Sequence, residues 1–547
     1  MRTMLIATLL TLLCGSPALA QKVGEGIVVT AAKAKLESRA QDVGSIPKGS
    51  FLRVEAVNEN SFCVVYWDAK TATRGWVKRT DVIPLRKALD FFTNELMRTP
   101  VADIYTIRGT IWCEQREFNK ALADFDEAIR LDPRRPTTFL RRGIAWSAKR
   151  DYDKALADFN EAARLDPTDA RIYVNRGRVW ADTREYDRAL ADFDEAIRLD
   201  PKNPIIRCSR GVFRGDNKEY DKAIADYTEA IRLDPTYVGA YGPRGDTWAN
   251  QKIYDKAIAD YNEIIQLDPT SVLAYGRRGR AWTCLEEYRK AIADYDEIVR
   301  LDPTNHDAYV TRARLWNIVD EFDKAIVASN EAIRRYPCDA ESYVSRAAAW
   351  YSKGNYDKAI DDIDQAIRID PTAHAAYDIR ATAWYQLGDF DKAIADFGEA
   401  IQRDPNHASP YSERGFAWYR KGEYGRAVAD LNKAIRLDRK YADSHAKLAW
   451  VFTFCPNDNF RDVERGVDLA IKACELSGWK GAYCLRTLAA AYAESGNFKN
   501  AVKWQQKSLD LSSDDEKKEW GFLLDLYKSG KTFPAERQEF GPGGHGN

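Results

Sequence analysis

Ten arginines recur every 34 residues: Arg108, Arg142, Arg176, Arg210, Arg244, Arg278, Arg312, Arg346, Arg380 and Arg414. Asp124, Asp158, Asp192, Asp226, Asp260, Asp294, Asp362, Asp396 and Asp430 keep the same interval, with Ala328 where one more would fall. A guanidinium on a packing face needs a partner, because an unpaired buried charge is costly. The spacing therefore predicts one Arg–Asp pair per repeat, within a repeat or between neighbours. Arg142, Arg176 and Arg278 with Asp158, Asp192 and Asp294 are representative. Such pairs would hold register; they would not react. Catalysis finds no foothold. The five histidines, His306, His374, His407, His445 and His545, form no HExxH, and neither a nucleophile elbow nor a Gly-rich phosphate loop is present. The acids recur with the repeat, as solvated faces and caps do. No catalytic, cofactor-binding or metal residue is assigned, and the expectation is a protein that is not an enzyme. The cysteines show no CxxC pair and no Cys/His ligand spacing, so a zinc site is not expected. Cys455, Cys474 and Cys484 are the one place to look for a disulfide, against the commoner outcome of buried thiols.

The elements that carry this series announce themselves by a second period. Pro133, Pro167, Pro201, Pro235, Pro269, Pro303, Pro337, Pro371 and Pro405 also stand 34 residues apart, with Arg439 in the next place. In the unit that starts at Ala170, Tyr173, Arg176, Gly177 and Trp180 lie at i, i+3, i+4 and i+7, one face of a helix. Tyr186, Ala189, Phe193 and Ala196 mark a second helix, and Pro201 stops it. The same two-helix sentence fills 102–135, 136–169, 170–203, 204–237, 238–271, 272–305, 306–339, 340–373, 374–407 and 408–441. This pattern of aromatic, glycine, aromatic, alanine, aromatic, alanine and proline resembles the tetratricopeptide repeat family. The resemblance implies a mainly α fold, a right-handed α-solenoid of about twelve helix-turn-helix units. Two divergent units are read over 442–511, the first with a loop at Cys455–Asn459. A polar closing helix is expected at 514–528 within a capping segment of 512–530, then a flexible tail over 531–547. Repeat four departs from the pattern, with Arg207 and Arg214 replacing both aromatics and Pro243 following within the next helix.

The first hundred residues differ. Arg2, the apolar run Met4 to Leu13 and the small residues Ala18 and Ala20 read as a signal peptide over 1–20. Its apolar run is about half of the roughly 20 residues a membrane span needs, and no later segment is long and apolar enough, so an exported chain is expected, periplasmic or secreted. Over 22–85 short β-branched and aromatic runs alternate with turn residues and end in Arg74-Gly75-Trp76-Val77-Lys78. This segment resembles bacterial SH3-like domains, which implies a small all-β barrel able to bind peptide or cell-wall glycan, with Tyr66, Trp67 and Trp76 as the aromatics to test. A linker helix over 86–101 joins it to the repeats.

The chain has 547 residues, 82 Lys plus Arg and 83 Asp plus Glu, a net charge of −1. That balance argues against nucleic acid or an anionic membrane and favours a protein or peptide partner. Partner contacts are expected from first-helix residues that do not repeat: Arg178, Arg280 and Arg314, and a row formed by Tyr351, Tyr385 and Tyr419. The tyrosines could equally pack sideways against neighbouring helices. The leading expectation is an exported scaffold for protein–protein interaction. The runner-up is a wall-associated protein whose barrel binds glycan while the repeats act as spacer or assembly module.

Overall fold

The computed structural model describes the backbone of seven strands between residues 26 and 84, and residues 85–534. The signal peptide and the last thirteen residues lie outside the described residues. The strands are β1 (Gly26–Val29), β2 (Lys33–Ser38), β3 (Gln41–Pro47), β4 (Phe51–Val57), β5 (Ser61–Trp67), β6 (Ala72–Lys78) and β7 (Val82–Pro84). They pair antiparallel in the order β3-β2-β6-β5-β4-β1-β7. The side chains of Tyr66, Trp67 and Trp76, on which the SH3-like likeness turns, are outside the described set.

From Leu85 onward the regular structure is helical. After a helix at Leu85–Arg98, the chain runs in pairs, a 13-residue first helix and a 14-residue second one. Repeat three shows the local reasons. The Asp169 carboxylate accepts from the Arg171 N–H at 2.9 Å and starts the first helix, Ala170–Asp182. Arg184 takes φ 66°, the left-handed turn that lets Tyr186–Leu199 fold back. Seven repeats place Arg, Lys, Glu or Asp in that turn, and the next three use Gly354, Gly388 and Gly422. Pro201 ends the pair, and in the corresponding Asp-Pro-Thr turns the aspartate accepts from the threonine N–H, as Asp166 does from Thr168 at 2.9 Å. Pro243 lies inside the helix Val238–Asn250, which continues through it.

Within a pair the close-contact glycine meets the aromatic of the second helix. A Cβ built on Gly143 would lie 2.7 Å from the Phe159 ring, so the small residue sets the approach distance. In nine repeats the first-helix tryptophan is covered by a cation eight residues on, as Lys120 over Trp112 at 4.6 Å and Lys392 over Trp384 at 4.0 Å.

The arginine series forms a ladder. In nine repeats the arginine Nε and Nη2 donate to both oxygens of the aspartate sixteen residues on, at 2.5–3.0 Å. The third nitrogen reaches back into the preceding repeat: Arg142 Nη1 to Asp126 at 2.6 Å, Arg176 to Asn160 at 2.8 Å and Arg380 to Asp364 at 2.5 Å. One guanidinium thus closes its own helix pair and fastens it to the one before. Burial pushes the carboxyls of Asp158, Asp260 and Asp294 up even with the arginine in place. The hydrogen bond to Asp192, by contrast, raises Arg176. Desolvation and pairing oppose one another here, and a buried pair of this kind specifies register more than it adds stability. Repeat four adapts it: Arg214, in the tryptophan position, also donates to Asp226, at 2.8 Å.

By its internal contacts the chain divides into two units, Met1–Arg277 and Arg278–Asn547. In the second, the divergent units are Ala442–Phe454 with Val463–Leu476, and Ala482–Glu494 with Phe498–Leu511. The closing helix expected at 514–528 is instead two, Asp514–Trp520 and Phe522–Lys528, broken at Gly521. Nor is this segment wholly polar: Trp520, Leu523, Tyr527 and Phe533 are buried, and Phe533 meets Trp450 edge-on at 5.2 Å. Cys455, Cys474 and Cys484 are buried free thiols.

Candidate functional site: the inner face of the helix pairs

Within each unit, first helices of successive repeats contact one another as well as their own partners, to an extent the second helices do not match. First helices therefore line the inner side of each stack, and their non-repeating positions face whatever lies there.

In the first unit that wall carries Arg141, Arg171, Arg178 and Arg277. Arg171 is held by Asp169 at 2.7 Å, and Arg277 by Asp246 at 2.9 Å. Arg178 has only a neutral partner: its Nη2 donates to Ser209 Oγ of the next repeat at 2.8 Å. Burial pulls the guanidinium of Arg178 down from its usual range, and burial together with Arg171 does the same to Arg141. Every paired ladder arginine with a resolved shift moves the other way. Arg178 is thus half-buried against a neutral partner, whereas Arg141 is exposed and feels the Glu114 and Asp169 carboxylates.

The second unit concentrates charge at repeats nine to eleven. Lys447 is 8 % exposed, and its ammonium lies between Glu413 and Asp443, the latter at 2.8 Å. Burial raises the Glu413 carboxyl, while Asp443 and Glu413 together hold Lys447 well above its usual range against the opposing effect of burial. Asp378, one repeat earlier, has a buried Oδ1 with no hydrogen-bond partner, and burial raises its carboxyl too. Tyr351, Tyr385, Tyr441 and Tyr483 all feel the charges of Lys447 and Glu413. The result is a tyrosine-walled cluster of three carboxylates and one ammonium, an arrangement suited to cationic groups of a partner.

The expected contact residues fall in different places. Tyr351 and Tyr385 are half-buried in this wall, their hydroxyls accepting from Gln386 and Arg420 of the next repeat, both at 3.4 Å. Tyr419 is core: it is 6 % exposed, stacks on Phe416 at 5.5 Å and is hydrogen-bonded to Trp450. Arg280 is exposed, and Arg314, also exposed, pairs with Glu341 at 2.8 Å. Asp378, Glu413, Asp443 and Lys447 were not anticipated. Only Asp378 stands where other repeats carry small or apolar residues; Glu413 and Lys447 share an offset with Arg141 and Arg277, and Asp443 with Asp103, Asp307 and Glu341, so the sequence does not single them out. Among the described residues no group of three His, Cys, Asp or Glu side chains is placed to hold a metal, and no helix is long and apolar enough to cross a membrane.

Profiles described as tetratricopeptide repeat match residues 113–170, 140–204, 214–272, 340–373 and 482–512, and one described as TPR repeat matches 382–422. No curated protein matches the chain. Solved structures that resemble it include YrrB, described as a TPR protein with an unusual peptide-binding site. It is 20 % identical, with a TM-score of 0.31, over 34 % of this chain and 95 % of that one. Yeast Tom70 is 15 % identical, with a TM-score of 0.40, over 78 % of this chain and 96 % of that one. The Cut9–Hcn1 structure of the APC/C is 15 % identical, with a TM-score of 0.39, over 83 % and 94 %.

Proposed function

The chain carries tetratricopeptide repeats, and on that premise we propose that it is an exported, non-enzymatic scaffold whose inner repeat faces hold a protein partner. Proteins with such repeats in general mediate protein–protein interaction. The observation that carries the reading here is the Asp378–Glu413–Asp443–Lys447 cluster, whose buried Asp378 Oδ1 has no hydrogen-bond partner among the described residues. A structural array has no need of an unsatisfied carboxylate on its inner wall; a binding surface does. Residues 22–85 supply a second contact as an SH3-like module, tested by retention of the full chain and its Trp76→Ala variant on isolated cell wall.

The main test is affinity capture from the exported fraction with the tagged chain and with Asp378→Asn, Tyr351→Ala and Arg178→Ala. Loss of the captured protein with Asp378→Asn or Tyr351→Ala places it on the second unit, and loss with Arg178→Ala on the first. Capture unchanged by all three would sink the inner-face reading.

A further inference from the structure

Repeat seven breaks the ladder and leaves two buried polar groups without a hydrogen-bond partner among the described residues. Elsewhere Nε and Nη2 of the arginine grip an aspartate carboxylate; here the residue in that place is Ala328, 4 % exposed. Arg312 cannot turn to find another acceptor, because its Nη1 is fastened to Asp296 of the preceding repeat at 2.8 Å and its guanidinium lies against the Tyr309 ring at 5.5 Å. Its Nε is buried with no hydrogen-bond partner among the described residues. The next residue repeats the anomaly: Ser329 stands where most repeats carry an aromatic or a large aliphatic side chain, is 0 % exposed, and its Oγ also lacks a partner. Two adjacent side chains are therefore truncated together, one losing a carboxylate and the other a ring. Two orphan polar groups remain that can both donate. Buried donors without acceptors are rare in folded proteins and call for an ion or a water.

We propose that repeat seven binds a small monovalent anion, a halide or a carboxylate of about formate size, on Arg312 Nε and Ser329 Oγ. It would sit where the side-chain carboxylate sits in the other nine repeats. Both orphan groups donate, so an acceptor matches them better than a water that must also donate. Arg210 is flanked by Asp194 and Asp226, and Arg380 by Asp364 and Asp396, at 2.5–2.9 Å. Arg312 keeps one carboxylate, Asp296, as Arg176 keeps Asp192, but lacks the acceptor that the arginine Nε meets in the other repeats. The site is independent of the inner-face cluster, so it stands or falls separately from the scaffold reading.

The experiment uses the full chain and bromide as probe. Crystals grown in bromide should show an anomalous peak beside Arg312 Nε in the native chain and none in Ala328→Asp, which supplies the carboxylate covalently. In solution, replacing gluconate by chloride, bromide or formate at constant ionic strength should raise the unfolding temperature of the native chain by ligand linkage. Ala328→Asp should start higher in gluconate and lose that response. A water in place of the peak in the native crystal overturns the proposal, and so does an equal anion response in both chains. Should Ala328→Asp not fold, the native crystal alone decides.

Discussion

The Lys447 ammonium stands 2.8 Å from the Asp443 carboxylate, with Glu413 against it from the preceding repeat, in a residue only 8 % exposed. Removing that ammonium strands two carboxylates. Lys447→Met should cost about 3–5 kcal/mol, the usual penalty for uncoupling a buried ion pair, read by denaturant unfolding at neutral pH. The Glu413 carboxyl is already raised by burial, so its charged form opposes folding once Lys447 is gone. A raised carboxyl favours the fold below its unfolded pKa and loses that contribution as pH climbs through the folded value. The deficit of Lys447→Met should therefore shrink in acid. A pH-independent deficit would contradict this account.

Asp378 has no direct ion pair among the described residues; His407, His374 and Lys447 act on it only at a distance. Burial raises its carboxyl, so at neutral pH the charged form weakens the fold. Asp378→Asn should add about 1 kcal/mol near pH 7, the order of an unsatisfied buried polar group, and nothing at pH values where the native carboxyl is protonated. The same substitution should reduce partner capture. Gain of stability with loss of binding is the signature of a site that trades one for the other; equal unfolding midpoints for both chains at neutral pH would refute it.

The ladder makes a contrasting prediction. Asp192→Ala leaves Arg176, which is 20 % exposed, without its bidentate acceptor and should cost about 3 kcal/mol. Replacing both, as Arg176→Met with Asp192→Leu, should cost less than about 1 kcal/mol. A double-mutant cycle on unfolding free energy checks the pair. Near-additive losses would show that the two side chains act independently.

The inter-helix turns separate backbone from packing. Gly388 has φ +79°, and nothing lies within 4 Å of a Cβ placed there. Gly388→Ala should then cost about 1 kcal/mol from the left-handed backbone alone. Arg184, at φ 66° in the equivalent turn, should gain about 0.5 kcal/mol on replacement by glycine, relief of strain outweighing the added chain entropy. Thermal unfolding of the two variants should move in opposite directions.

Much of this molecule is written in its two 34-residue periods. Tyr173, Gly177 and Trp180 on one helix, Ala189 and Phe193 on the next, and Pro201 after them state the helix pair locally. Turn, cap and packing partner all lie within one repeat, so no distant contact is needed to read them. The matched recurrence of Arg176 and Asp192 likewise announces a pair. That Arg176 also reaches Asn160 of the repeat before, at 2.8 Å, was decided by the stacking geometry, which fixes how far a third guanidinium nitrogen extends. The inner-face cluster was invisible for the same reason. Asp378, Glu413, Asp443 and Lys447 come from three successive units and share no motif, and only the close approach of first helices gathers them. Tyr419 shows the converse. It shares its offset with Tyr351 and Tyr385, yet the divergent unit beginning at Ala442 lays Trp450 beside it and buries it. Periodicity determines what a residue is within its own helix pair; whether that residue faces core or partner depends on the next pair along.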